Sequence, residues 1–244
     1  MAVRVLKDYP VELISVDSVM VYKDCDIGSA KPSNEVLRKY PHHLVNIESL
    51  ENIFTVSDFC KESLKLIDKI HDNEKIPLFV GGSMMYFKSL FHGIHDLPGK
   101  DHDYREELNR LKNNNPKNYL YSLLKNIDSV YANQIEENDH IRIIRALEIY
   151  KQSNIKLSDI FKETPKNGIK NNFDVHQFGI HLGRDIIHER IKTRLIEMFD
   201  QGLIEETINI LAKFQISNDH PFRKAVNYKP VSYTHLTLPT IVGV

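Results

Sequence analysis

The chain has 244 residues, 41% of them hydrophobic and 27% charged, with a formal net charge of -1 at pH 7. That length supports one sizeable core with a smaller appendage, and the balanced charge excludes a uniformly basic nucleic-acid-coating protein, although 32 Lys and Arg leave room for a local basic face. Two cysteines, Cys25 and Cys60, make no disulfide framework or zinc-like spacing. No apolar run reaches the roughly 18 residues of a membrane span, and MAVRVLKDYP lacks the apolar centre of a signal peptide, so a cytoplasmic protein with reduced thiols and no membrane partner is expected.

In chain order, AVRVLKDYP reads as the last turns of a helix. VELISV, at residues 11–16, is apolar and rich in β-branched residues and runs out into Asp17 and Ser18, as buried parallel strands do. A lysine-bearing, glycine-broken loop follows, YKDCDIGSAKP. Residues 43–47 offer a third strand candidate. A helix opens at Thr55, with Asp58 three residues on in a capping-box pattern, and carries Phe59, Ile67 and Ile70 inward until Asn73. IPLFV, at residues 76–80, is the next strand, and strand, helix and strand together make a parallel crossover unit. It ends in Gly81-Gly82-Ser83 and enters MMYFKSLFHG, a helix stopped at Gly93.

Between residues 101 and 164 the texture turns helical and strands cease. Residues 177–182 are expected to form a fourth strand, followed by two helices broken at Gly202. An α/β domain should begin with a strand, yet none precedes VELISV. The last stretch, VSYTHLTLPTIVGV, resembles a translated sequencing-library adapter and is set aside. The expected organisation is an α/β core from residues 1–100 and 165–230, a helical insertion at 101–164, and a non-native tail at 231–244, the whole a fragment open at both ends.

Three places carry candidate chemistry. The carboxyl ends of parallel strands face the ligand crevice, so Asp17 and Ser18 stand where a carboxylate meets a substrate; capping of the following turn is the alternative. Gly81-Gly82-Ser83 precedes a helix N-terminus, where free N–H groups favour anions, although any tight strand-to-helix turn uses such residues. Arg190 and Arg194 share a helix face, and Arg142 and Arg145 pose the same question on the helical insertion; each pair reads either as a solvated face or as a guanidinium fork for phosphate.

The blocks ELISVDSVMVYKDCDIGSAKP, IPLFVGGSMMYFKSL, LPGKDHDYREEL, ENDHIRIIRALEIY, VHQFGIHLGRDIIHERIKTRLIEM and KAVNYK occur in this order. Their order and spacing resemble the tRNA dimethylallyltransferase family, also called tRNA isopentenyltransferases, over about residues 10–229. The resemblance implies a P-loop-type parallel sheet flanked by helices, with an all-helical insertion that clasps the anticodon stem. It implies transfer of a dimethylallyl group from dimethylallyl diphosphate to N6 of adenosine 37 in tRNA, with Mg2+, by a monomer. Asp17 matches the general base that hydrogen-bonds the amine, with Ser18, Val19 and Met20 lining the adenine pocket. Ser83 stands where the family usually has threonine and keeps the hydroxyl, with catalytic and tRNA-contacting roles. Arg194 matches the arginine that binds the diphosphate. Arg105, the run Ile141, Arg142, Ile143, Ile144 and Arg145, and the run Lys224, Ala225, Val226, Asn227, Tyr228 and Lys229 match positions that touch tRNA.

The pattern also departs from the family. No GxxxxGK[ST] occurs in the 244 residues, so the loop lysine and hydroxyl that would hold diphosphate and magnesium have no counterparts. Asn227 replaces the usual glycine, and the C-terminal helices that complete the tRNA surface are not matched. Loss of a central first strand would expose strand edges and favour aggregation. An adenylate isopentenyltransferase is the nearest alternative, though a free nucleotide needs neither the arginine-bearing insertion nor KAVNYK. A non-catalytic RNA-binding remnant and a small-molecule kinase are the others.

Overall fold

The computed structural model describes residues 2–236 and divides into two compact units, Met1–Leu90 with Asp174–Val244, and Phe91–Phe173. The first unit opens with helix α1 (Ala2–Asp8) and strand β1 (Val11–Val16). After an irregular loop come α2 (Asn34–Lys39), β2 (His42–His43), α3 (Val56–Asp72), β3 (Ile76–Gly81) and α4 (Met84–His92). The three strands form one parallel sheet in the order β2-β1-β3, with Val11 opposite Ile76 and Val16 opposite Gly81. This is the expected α/β class, and β1, as the central strand, is buried at Leu13, Ile14 and Val16.

The capping box that starts α3 is formed as its sequence predicts: the Thr55 hydroxyl accepts from the Asp58 amide at 3.2 Å, and the Asp58 carboxylate accepts from the Thr55 amide at 2.9 Å. Phe59, Ile67 and Ile70 point inward, and the Phe59 and Tyr86 rings stack with centroids 4.7 Å apart.

Two strand expectations are corrected. Of residues 43–47 only His43 joins a strand, because Leu44 and Asn46 take left-handed φ of 60° and 57°, which no extended ladder accepts. Residues 177–182 form no strand; Phe178 and Ile180 are 89% and 68% exposed. An alternating sequence makes a strand only where a neighbouring edge takes up its backbone groups, and among the described residues none does so there. On β3 the pattern is similar: Ile76 is 56% exposed although its position within a strand suggests burial.

The second unit holds α5 (His102–Asn114), α6 (Tyr119–Ile127), α7 (Ser129–Ala132), α8 (His140–Ser153) and α9 (Leu157–Ile160). It extends beyond the helical stretch of residues 101–164, because Ile94 bridges Lys166 and the Gly168 backbone lies too close to Gly93 to admit a side chain. Its core is aliphatic, centred on Leu108, Leu120, Leu124, Ile143, Leu147 and Ile149. Asp128, almost fully buried, starts two helices at once by accepting from the Tyr131 amide at 3.0 Å and the Ser158 amide at 2.8 Å.

The chain then returns to the first unit with α10 (Arg184–Asp200), α11 (Leu203–Lys213), α12 (Pro221–Lys224) and α13 (Tyr228–Leu236). The break between α10 and α11 is at Gly202, whose φ of +97° explains the glycine. Residues 231–236, adapter-like in sequence, continue α13, with Val231 and Ser232 buried; the rest of that tail lies outside the described residues.

Candidate active site

Asp17 follows directly on β1, at its carboxyl end. Its Oδ1 accepts hydrogen bonds from the amides of Val19 (2.8 Å) and Met20 (3.0 Å). Its Oδ2 makes no hydrogen bond among the described residues. The capping and ligand-facing alternatives are therefore compatible: one oxygen fixes the turn and the rotamer, the other remains able to accept a proton. Asp17, Ser18 and Met20 are half-buried while Val19 is buried. Burial pushes the nearby Tyr86 phenol up, with Asp17's charge adding to the effect.

Ser83 is brought to the same strand end, its amide donating to the Val16 carbonyl at 3.3 Å. The Ser83 carbonyl in turn accepts from the Tyr86 and Phe87 amides and begins α4. The two glycines before it differ. A Cβ on Gly81 would lie 2.1 Å from the Val16 carbonyl oxygen, so β1 and β3 approach there only with glycine, whereas Gly82 has nothing within 4 Å.

Arg190 and Arg194 lie exposed on α10, and among the described residues neither has an ion-pair partner. Glu189 and Glu197 do not neutralise them. Two unpaired guanidinium groups one helical turn apart repel each other mildly and attract a multivalent anion. Around them α10 is apolar but little covered: Ile191 is 50% exposed and Leu195 39%, and only Met198 is buried.

The loop after Asp17 is internally strapped. Lys31, with only 2% of its side chain exposed, donates to the Tyr22 carbonyl (2.8 Å), Asp26 Oδ1 (2.7 Å) and Asn46 Oδ1 (2.6 Å). Lys31 is thus a strut with all three donors used, and no proton of it is left for a phosphate. In the run from Lys224 to Lys229, Val226 is 84% exposed and both lysines are exposed, while Tyr228 has no exposed surface. A direct RNA contact by Tyr228 is excluded by that burial.

In the helical unit, Ile141 and Arg142 are exposed on α8, but Ile143 is wholly buried in the core, which corrects the expectation that it touches tRNA. Ile144 packs against the same core. Arg105 and Arg145 converge on Glu148, which has no exposed surface. Arg105 donates from Nε and Nη2 at 2.6 and 2.8 Å, Arg145 donates from Nη1, and the Asp101 amide donates at 2.7 Å. Burial raises the Glu148 pKa, but the Arg105 and Arg145 hydrogen bonds outweigh it and hold the carboxyl at about 2. Arg145 also binds the carbonyls of Pro98 and Gly99.

Sequence reasoning missed Lys31, Glu148 and Glu206. Glu148 had a signal, a carboxylate inside the apolar run RALEIY three residues from Arg145; Glu206, one of two adjacent glutamates, had none.

The IPP transferase family model matches residues 20–237. A tRNA dimethylallyltransferase of Psychrobacter arcticus is 36% identical over 222 residues, 90% of this chain and 53% of that protein. One of Acinetobacter baumannii is 35% identical over 219 residues, 89% of this chain and 69% of that protein. The chain thus spans about half the length of the first of these relatives. Among solved structures, the full-length tRNA isopentenylpyrophosphate transferase of Bacillus halodurans superposes with a TM-score of 0.61 at 31% identity, covering 98% of this chain and 74% of that one. A eukaryotic dimethylallyltransferase acting on tRNA gives 0.74 at 25% identity, over 93% of this chain and 56% of the other. These likenesses agree with the P-loop-type parallel sheet expected from the sequence.

Proposed function

The chain belongs to the IPP transferase family, and on that premise we propose that it transfers a dimethylallyl group from dimethylallyl diphosphate to N6 of adenosine 37 in the anticodon stem-loop of tRNA. The observation that carries this reading is Asp17, a carboxylate at the end of a buried central strand with one oxygen fixed by two amides and the other without a hydrogen bond among the described residues. The adenine leaves its stack, at a cost of a few kcal/mol that tRNA contacts offset. Its N6 attacks the allylic carbon; the N–C bond forms as the C–O bond to diphosphate breaks, the electron pair leaving with diphosphate. Asp17 takes the N6 proton. Arg194, with Arg190 beside it, neutralises the charge that develops on the leaving group.

The reading includes Mg2+ accompanying the diphosphate, but the residues present do not form a cation cage. Among the described residues no group of three or more His, Cys, Asp and Glu is placed to hold a metal ion. The steps above belong to this chain's own groups. We further propose a cytoplasmic monomer; among the described residues no helix is long and apolar enough to cross a membrane, and light scattering would test the monomer.

The test is a transfer assay with labelled dimethylallyl diphosphate, magnesium and an adenosine-37 tRNA, on the chain and on a version extended by the family's phosphate-binding N-terminus. Label on tRNA that falls about 10²–10⁴-fold with Asp17→Asn is expected. Undiminished transfer by that variant would remove Asp17 as the base. A second reading is a non-catalytic RNA-binding protein; salt-sensitive tRNA binding with no transfer by either version would put it ahead.

A further inference from the structure

Residues 26–28 present three successive amide N–H groups to one side, a concavity of the kind that binds anions. Here the anion is a side chain of the same chain. Glu206 Oε2 accepts from the amides of Asp26 (3.1 Å) and Ile27 (2.8 Å), and Oε1 from that of Gly28 (3.0 Å). The same Oε1 accepts from the Tyr228 hydroxyl at 2.6 Å. One carboxylate thereby gathers four donors from two segments nearly two hundred residues apart in sequence.

The joint is closed from other directions as well. A Cβ on Gly28 would stand 2.4 Å from the Tyr228 ring, so only glycine lets the loop lie flat on that ring. The Asn227 amide donates to the Gly28 carbonyl at 2.8 Å. Tyr228 stacks on Phe222 with centroids 4.5 Å apart. On the loop's inner side Lys31 holds Tyr22, Asp26 and Asn46. Residues 227 and 228 therefore face inward as anchors, while Lys224, Val226 and Lys229 face solvent on the same short segment.

We infer that Glu206 is a positioning residue for RNA: by locking the loop of residues 26–28 to Asn227 and Tyr228, it sets the outward-facing Lys224, Val226 and Lys229 as an RNA-contacting edge. This rests on the tRNA reading above. Without the carboxylate, three amides and a phenol lose their common acceptor and the segment loses its fixed relation to the loop that follows Asp17. Glu206→Gln keeps one accepting oxygen and should behave between the two extremes.

The test combines hydrogen exchange with binding of a fluorescent anticodon stem-loop RNA, on the whole chain and its Glu206→Ala, Glu206→Gln and Asn227→Ala variants, each shown to be folded by circular dichroism. In Glu206→Ala, exchange at amides 26–28 should rise about tenfold or more, as when a hydrogen-bond acceptor is lost. RNA affinity should weaken about tenfold with the slope of log affinity against log salt unchanged, since no phosphate contact is removed. Glu206→Gln should restore part of both. Asn227→Ala should move both in the same direction by less, and keeps the proposal testable if Glu206→Ala does not fold. Lys224→Ala and Lys229→Ala should instead reduce that slope, each by about 0.7–0.9. Unchanged exchange at residues 26–28 overturns the inference. Faster exchange with unchanged affinity, while the lysine variants do weaken binding, also overturns it and leaves Glu206 a purely structural residue. If the lysine variants leave binding untouched too, it is the RNA reading of this edge that falls.

Discussion

Glu148 and Glu206 are glutamates on helices that each gather donors from distant parts of their own unit, yet they do so by different chemistry. Glu148 is fully buried and answers two guanidinium groups, so it balances charge inside a core. Glu206 is half-buried and answers three amides and a phenol, all neutral. The first arrangement tolerates loss of charge poorly, because removing the fully buried carboxylate leaves two partly covered cations side by side without their shared counter-charge. The second needs an acceptor more than a charge. The difference teaches what each unit protects: the helical unit its arginine positions, the α/β unit the shape of a loop.

The sharpest way to break this comparison is to remove charge at both sites. Glu148→Ala is expected to destabilise the helical unit by about 3–5 kcal/mol, read from urea unfolding. Glu148→Gln should remain more damaging than Glu206→Gln; equal effects would show that the two carboxylates do the same job. Next in size, Tyr22→Phe removes the hydroxyl that accepts from the Phe54 amide at 2.8 Å. A buried amide left without its acceptor costs about 1–3 kcal/mol, so thermal unfolding of the α/β unit should show that loss. Thr55→Ala deletes the α3 capping box and should cost about 1 kcal/mol, with faster exchange confined to the first turn of α3.

Acid separates the units more gently. His220 is buried and neutral, its Nδ1 accepting from the Phe222 amide and its Nε2 donating to the Asn52 carbonyl, and burial lowers its pKa below the ordinary 6.5. A folded pKa below the unfolded one means that the unfolded chain binds the proton better. The stability this histidine contributes is therefore present above pH 6.5 and declines as pH falls below it. Glu148 follows the same sign in a lower window, with its contribution intact above 4.5 and lost as pH falls toward about 2. Exchange measured unit by unit from pH 7 to 4.5 should show the α/β unit loosening first. Simultaneous loosening would contradict the assignment.

Legibility in the sequence followed how local each determinant is. The Thr55 capping box, the apolar face of α3, the helix stops at Gly93 and Gly202 and the two main strands depend on neighbours within a few residues, and all were readable. Asp17 was singled out by position alone, at the end of an apolar β-branched run. The failures at residues 43–47 and 177–182 have one cause, since β pairing is a property of two segments and a pattern describes only one. The contrast between α8 and α10 makes the same point for helices: both carry apolar residues at helical spacing, yet α8 buries Ile143, Leu147 and Ile149 and α10 buries only Met198.

What the amino-acid order determined by itself is the family, the α/β class and the helical stretch of residues 101–164, because these rest on residue type and short spacing. Only the tertiary structure decided which charged groups are available. Arg105 and Arg145 are committed to Glu148, Lys31 is a strut, Tyr228 is an anchor, and among the described residues Arg190 and Arg194 stand without an ion-pair partner. A charged side chain on a sequence is defined by its type; in the fold it is defined by whether a partner within hydrogen-bond reach offsets its desolvation, and those partners come from segments far away along the chain.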